Sequence, residues 1–308
     1  MDTDVFGMHN LLNEDLVARM HEEENFEVKS DTDFGCDVLV VTPIPLELRS
    51  AALAFGQDIE NPTSRVKSLS VFEFDLSRRG GLAPLSVVLT TINSQMNLNS
   101  GPRTSQLIER HKPRLVILSG IAGTRNDQAL GTCNAFSSVT YVAGGVETVD
   151  GKLPENKVDN ISEEMNNLIS THADRRNRYS EQSSFKDEIF SLIPQIDGLV
   201  PSKEQLETFD PKFSVKKLLS GETLRKDGGF KEQSDEIDRL ITMVEMEASG
   251  FATSCVLANV EWLVFRAGCD YADSDKSDEW QHVAALNAAL SIKYCLQSDF
   301  RFQEEMNY

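Results

Sequence analysis

The chain has 308 residues, enough to bury one substantial core as a single α/β domain or one domain with appendages. It is 40% hydrophobic and 26% charged, an ordinary globular balance, with a formal net charge of −19. So acidic a molecule repels a polyphosphate backbone, which argues against general nucleic-acid binding, although a local basic pocket still suits a small anionic ligand.

Residues 1–36 read as an N-terminal appendage. Leu11, Leu12, Leu16, Val17 and Met20 recur at helical spacing before the acidic run Glu22, Glu23, Glu24. The start is acidic and has no basic region followed by an apolar run, so no signal peptide is expected. From Asp37 strand and helix patterns alternate. Val38–Val41 is an apolar run of the kind buried on both faces of a sheet; Pro43 and Pro45 break it, and Leu46–Phe55 is predicted helical. Strands follow at Val71–Asp75 and Leu85–Thr91, joined by the turn Arg79-Gly80-Gly81. A helix at Ser105–His111 leads through Pro113 to the strand Leu115–Leu118, which ends in Ser119-Gly120-Ile121-Ala122-Gly123. Phe136–Val142 is the next strand. Near the end come Thr242–Val244, a helix from about Met246 to Leu257, the strand Trp262–Phe265 and a closing helix from Asp278 to about Leu296.

The alternation predicts an α/β three-layer sandwich with a mixed, mostly parallel central sheet covered by helices. The domain is expected over residues 37–300, with a polar insertion at about 146–219. There, Ile161–Ile169 and Lys186–Ile193 read as helices beside a mobile segment, and Arg175, Arg176 and Arg178 form a basic cluster. That cluster suits either phosphates or a solvated surface. No stretch is long and apolar enough for a membrane span.

The five cysteines are odd in number and lack CxxC spacing, which reads as reduced thiols in the cytoplasm. The five histidines show no paired-ligand spacing, so no metal and no cofactor are expected.

Four segments fall at predicted strand ends, where open α/β sheets place ligands: Thr42–Glu47, Ser119–Gly123, Val244–Gly250 and Val264–Trp280. Glu245 and Glu247 flank Met246 where a strand enters a helix. A carboxylate accepting from two vicinal hydroxyls is a natural ribose clamp, with Met246 as an apolar floor; negative charge at a helix start explains the pair equally well. Asp270 follows an apolar strand. It suits a general acid with a raised pKa or, as readily, an Asx turn. Arg266 is placed to hold a water or hydroxyl, or to pair with a carboxylate. Gly120 and Gly123 allow either close approach to a ligand or a tight turn.

VEMEASG, FRAGCDYAD and DEWQHVAALNAA, with VLVVTPIPLE and LVILSGIAG before them, resemble the nucleoside phosphorylase superfamily in its 5′-methylthioadenosine/S-adenosylhomocysteine nucleosidase branch. The resemblance runs from about Asp37 to Leu296, excluding much of the insertion. It implies hydrolysis of the N-glycosidic bond of a purine nucleoside or nucleotide, with adenine favoured because an acid acting at N7 suits it. Glu47 matches the residue that activates water, Glu247 the one holding the ribose hydroxyls over Met246, Asp270 the acid protonating N7, and Arg266 an arginine near water and ribose. SGETLR resembles the strand that reads the base edge around Leu224 and Arg225, and Ala122 and Gly123 belong to the substrate wall. The resemblance also implies a homo-oligomer, a dimer or higher.

A phosphorylase would need cations for phosphate; the positions matching its first arginine, second arginine and serine are Glu47, Leu118 and Ile121, which favours water. INSQMNLNSG, Ile92–Gly101, lacks most of the family's usual glycines, and Ile121 and Cys269 replace serines. Three other functions stay open: a nucleotide-depleting ATP or AMP nucleosidase of an immune or anti-phage system, a phosphorolytic enzyme, and a silent nucleoside-binding scaffold.

Overall fold

Five consecutive apolar or β-branched residues leave β1 (Val38–Thr42) buried along its whole length, as expected of a strand covered on both faces. The computed structural model describes residues 35–66, 69–148, 151–222, 229–274 and 277–302, all within one compact unit, Gly35–Tyr308. The helix expected over residues 11–20 lies outside the described residues. After β1 the chain forms α1 (Pro45–Ala54), β2 (Ser64–Val66), β3 (Leu69–Leu76), β4 (Leu85–Thr91) and α2 (Asn97–His111). Next come β5 (Leu115–Thr124), β6 (Cys133–Thr148), β7 (Gly151–Asn160), α3 (Glu163–Arg176), α4 (Tyr179–Leu192), α5 (Lys203–Thr208) and β8 (Phe213–Ser220). The chain continues through α6 (Phe230–Ile237), β9 (Ile241–Glu245), α7 (Ala248–Leu257), β10 (Glu261–Asp270) and α8 (Gln281–Ser298).

One mixed sheet runs in the order β10-β6-β8-β9-β5-β1-β4-β3-β2, with β7 on β6 and β10 returning to pair with β5. The strands β5, β10, β6, β8 and β9 therefore close into a ring, from which β1, β4, β3 and β2 extend as an open arm. Pairing is parallel for β1 with β4 and β5, for β10 with β5, and for β8 with β6 and β9. It is antiparallel for β3 with β2 and β4, for β6 with β7 and β10, and for β9 with β5. Helices cover both sides: α1 packs on α8, and α2 on α7. The closing helix α8 is apolar nearly all round and buried from Val283 to Ile292, against β5, β6 and β10. This is the α/β sandwich with a mixed sheet that the alternation predicts. Among the described residues no helix is long and apolar enough to cross a membrane.

Three local expectations are corrected. Ser119–Gly123 is no turn; it lies inside β5, hydrogen-bonded to β10 throughout. The helix after β4 begins at Asn97, so half of Ile92–Gly101 is already helical. Polar residues 146–219 hold β7, two long helices and β8, a strand of the ring itself.

Two arginines of the basic cluster there are spent on the scaffold. Arg175 donates to both oxygens of Asp299 at 2.7 Å and pairs with Glu181 at 3.3 Å. Arg176 is buried, its guanidinium 3.3 Å from the Phe185 ring centre and hydrogen-bonded to the Pro211 carbonyl at 3.0 Å. Arginine stacks well on aromatic faces, which accounts for a charge in this position. None of Arg175, Arg176 and Arg178 lines the cavity described next, and Arg178 is exposed.

Candidate active site

Because β1, β5 and β10 run parallel, their carboxyl ends open on one side, and the start of α7 faces them. A cavity of about 500 Å³ lies there, within the range of small-molecule sites. Its wall includes Glu47, Ala122, Gly123, Glu245, Met246, Glu247 and Asp270, seven of the sequence-derived candidates. Arg266 lies directly behind them, fully buried. Leu224 and Arg225 lie outside the described residues.

Glu47 occupies the first turn of α1, where negative charge is favoured. One oxygen accepts the Ile44 N–H at 2.9 Å, the reach-back of a residue in the third helical position, and the other accepts the Ile121 N–H at 2.9 Å. Arg266, on β10, then meets three carboxylates. Nη1 stands 3.5 Å from Glu47, and Nη2 stands 2.5 Å from Glu245 and 3.4 Å from Glu247. One guanidinium cannot neutralise three buried carboxylates, so protonation relieves the excess. Burial pushes the Glu47 carboxyl up to about 7, opposed by Arg266 and the two backbone N–H donors. Burial and then the neighbouring Glu245 raise Glu247 as well, again opposed by Arg266.

The two glutamates flanking Met246 divide their work. Glu245 accepts from the N–H groups of Glu247 and Ala248 at 2.9–3.0 Å and from Arg266, so it anchors the start of α7 to β10. This is the helix-start reading of the pair. Glu247 instead stands between the Met96 N–H at 3.1 Å and Arg266, on the cavity wall. Its carbonyl also accepts from the Ser100 hydroxyl at 2.7 Å. The segment without its glycines thus still reaches the site, with Met96 holding a positive φ of 78°.

The Asx-turn reading of Asp270 holds. One oxygen accepts the Ala272 N–H at 2.9 Å in an Asx turn, and the residue still lines the cavity. The Cys269 thiol donates to the other oxygen at 3.3 Å.

Gly120 and Gly123 make this packing possible. A Cβ on Gly120 would collide with the Glu47 carboxyl and an Arg266 nitrogen, while one on Gly123 would come within 3.2 Å of Asp270. Gly120→Ala is therefore expected to lower the melting temperature by roughly 3–10 °C, from an overpacking cost of about 1–3 kcal/mol. Thermal unfolding of the variant checks this, and an unchanged transition would contradict it.

Sequence reasoning did not assign Glu222, Asp273, Gln95 and Gln281, which also line the cavity. Each lies inside a motif already singled out: Gln95 in INSQMNLNSG, Glu222 in SGETLR, Asp273 in FRAGCDYAD and Gln281 in DEWQHVAALNAA. For metal ions, His172, Cys295 and Asp299 bring ligand atoms within 4.8 Å of one another among the described residues. Asp299 already accepts from Arg175 and pairs with His172 at 2.7 Å, which gives this group a structural explanation.

No family model matches the chain. Its fold is that of the nucleosidases in solved structures. 5′-Methylthioadenosine/S-adenosylhomocysteine nucleosidase from Neisseria meningitidis superposes with a TM-score of 0.59 at 16% identity, covering 85% of this chain and 98% of the other. Futalosine hydrolase of Helicobacter pylori gives 0.60 at 16% identity, covering 86% and 99%. In sequence, the chain is 26% identical over 270 residues to the ATP nucleosidase Cap17 of Escherichia coli, covering 84% of this chain. The chain spans 51% of that relative, about half its length.

Proposed function

We propose that the chain hydrolyses the N-glycosidic bond of a purine nucleoside or nucleotide, adenine being the favoured base, and releases free base and the ribose product. The observation that carries this reading is the meeting of Glu47, Glu247 and Asp270, distant in sequence, on the wall of one nucleoside-sized cavity.

The transition state of such a reaction is oxocarbenium-like, so a weak nucleophile suffices once the leaving base is neutralised. Glu47 is the base that takes a proton from water, and a carboxyl near pH 7 suits that task. Glu247, steadied by the Met96 N–H and Arg266, accepts from the ribose diol above Met246. Asp270 gives its proton to N7, while the Asx turn fixes its direction. Among the described lining residues none is Lys or Arg, and Ile121 stands where a phosphorylase needs a phosphate donor, which supports water over phosphate.

Asp270→Asn keeps the acceptor for the Ala272 N–H but removes the acid. Adenine release is expected to fall about 10²–10⁴-fold. Release of nitrophenolate from a nitrophenyl riboside, which needs no protonation, should change far less. Equal losses on both substrates would remove Asp270 from the acid role.

The relationship to an ATP nucleosidase supports a second, narrower reading, a nucleotide-depleting effector of an immune or anti-phage system. Phosphates would need cations, and among the described lining residues none is Lys or Arg. Incubation with adenosine, methylthioadenosine, AMP and ATP, followed by mass spectrometry of free adenine, tests both readings. Base from none of the four overturns the first, and base from adenosine but from neither nucleotide overturns the second. Exposed Leu98 on α2 and Val256 and Leu257 on α7 fit the expected homo-oligomer, whose size sedimentation would give.

A further inference from the structure

Glu222 has no part in the scheme above, yet its carboxylate stands on the cavity wall. It follows β8 by two residues. Ser220 is in register with Glu245, and the Gly221 N–H binds the Glu245 carbonyl at 3.1 Å, so Glu222 sits beside the Glu245–Glu247 segment. One of its oxygens accepts from the Tyr141 hydroxyl at 3.4 Å, a long bond. The other oxygen is shut off from solvent and has no hydrogen-bond partner among the described residues. A buried carboxylate oxygen without a donor is costly, so an incoming donor there recovers more than an ordinary surface contact would.

The surroundings indicate what kind of donor fits. Val244 and Ala272 share the cavity wall with Glu222. Both belong to an apolar cluster with Leu219 and Phe230, and a second, smaller cavity meets the first at Val244. Apolar walls of this kind accept the faces of a flat ring, leaving its edge to the polar groups. The charged side chains that line the cavity among the described residues are all carboxylates, Glu222, Asp270 and Asp273 among them. A base with an exocyclic amine offers two N–H donors to such a rim. An oxo base puts a carbonyl oxygen in that place, an acceptor that gives the carboxylate no donor.

We propose that Glu222 accepts a hydrogen bond from the exocyclic amino group of the bound base and makes the site selective for aminopurines over oxopurines. The assignment rests on the nucleosidase reading for the class of ligand, but its test does not need turnover. Binding of free adenine and free hypoxanthine is measured by calorimetry on the wild type, E222A and E222Q, alongside adenine and hypoxanthine release from adenosine and inosine. The wild type is expected to bind adenine at least about tenfold more tightly than hypoxanthine, one hydrogen bond's worth of discrimination. E222A loses most of that preference. E222Q, which keeps the shape and adds a donor able to meet an oxo group, narrows or reverses it, and it decides the matter if E222A fails to fold. Equal binding of the two bases by the wild type overturns the proposal, and so does a preference unchanged in E222Q. Selectivity that depends on Glu222 in a protein that releases base from neither nucleoside, nor from methylthioadenosine, AMP or ATP, would support this assignment while overturning the catalytic reading.

Discussion

Glu47→Gln is expected to cut base release about 10²–10⁴-fold, the usual worth of a positioned general base, while nucleoside affinity changes little. The amide has nearly the shape of the acid and keeps one acceptor for the backbone N–H groups of Ile44 and Ile121, but it cannot take a proton from water. Binding is spared because the proposed contact with the sugar hydroxyls is made by Glu247. The same residue sets the pH dependence. As the proposed base, Glu47 acts only when ionised, and burial holds its carboxyl near 7, so the acidic limb of the kcat/KM profile should rise through about pH 7. Rates across a buffer series, with calorimetry on the inactive variant, check both statements. A variant that releases base at the wild-type rate would leave the active-enzyme reading without support.

Arg266→Met is expected to produce the largest loss of stability, and a loss that depends on pH. The wild-type guanidinium is fully buried among Glu47, Glu245 and Glu247. Removing one partner from a buried ionic group costs about 3–5 kcal/mol, which translates to a fall in melting temperature on the order of 10 °C. The direction with pH follows from proton linkage. Glu47 and Glu247 titrate higher in the folded chain than their ordinary value of 4.5, so between the two values the native state binds more protons than the unfolded chain. Stability therefore falls as pH rises through that window. Without Arg266 the carboxyls are raised further, so the deficit should be small in mildly acidic buffer, where they are protonated, and large in alkaline buffer. Thermal unfolding of both proteins across that range decides it; a deficit that does not change with pH would mean that the charges are not coupled as described.

Much of this arrangement was legible because strands and chemistry share a periodic signal. Val38–Val41, Leu115–Leu118 and Trp262–Phe265 are apolar runs long enough to mark buried strands, and each is followed by residues that line or back the cavity. Polar strands hid where their sequence looked like loop. Lys216 and Lys217 interrupt β8, and Lys217 is tolerated because it reaches out to Asp238 at 2.6 Å. Gly120 reads locally as a turn former, but it is small so that Glu47 and Arg266 can pack against a strand that continues past it. No spacing rule separates Glu245 from Glu247. Their different tasks depend on which backbone N–H groups the fold brings near each carboxylate.

The proposed reaction turns on water reaching a sugar carbon between a base, a diol clamp and an acid. Incubation with adenosine and ATP in phosphate-free ¹⁸O-water, with mass spectrometry of both products, measures that directly. The expected result is free adenine from at least one of them, with a single heavy oxygen on the anomeric carbon of the ribose product. Base release that begins only when phosphate is added and yields a sugar phosphate, or no base from either substrate, would contradict it.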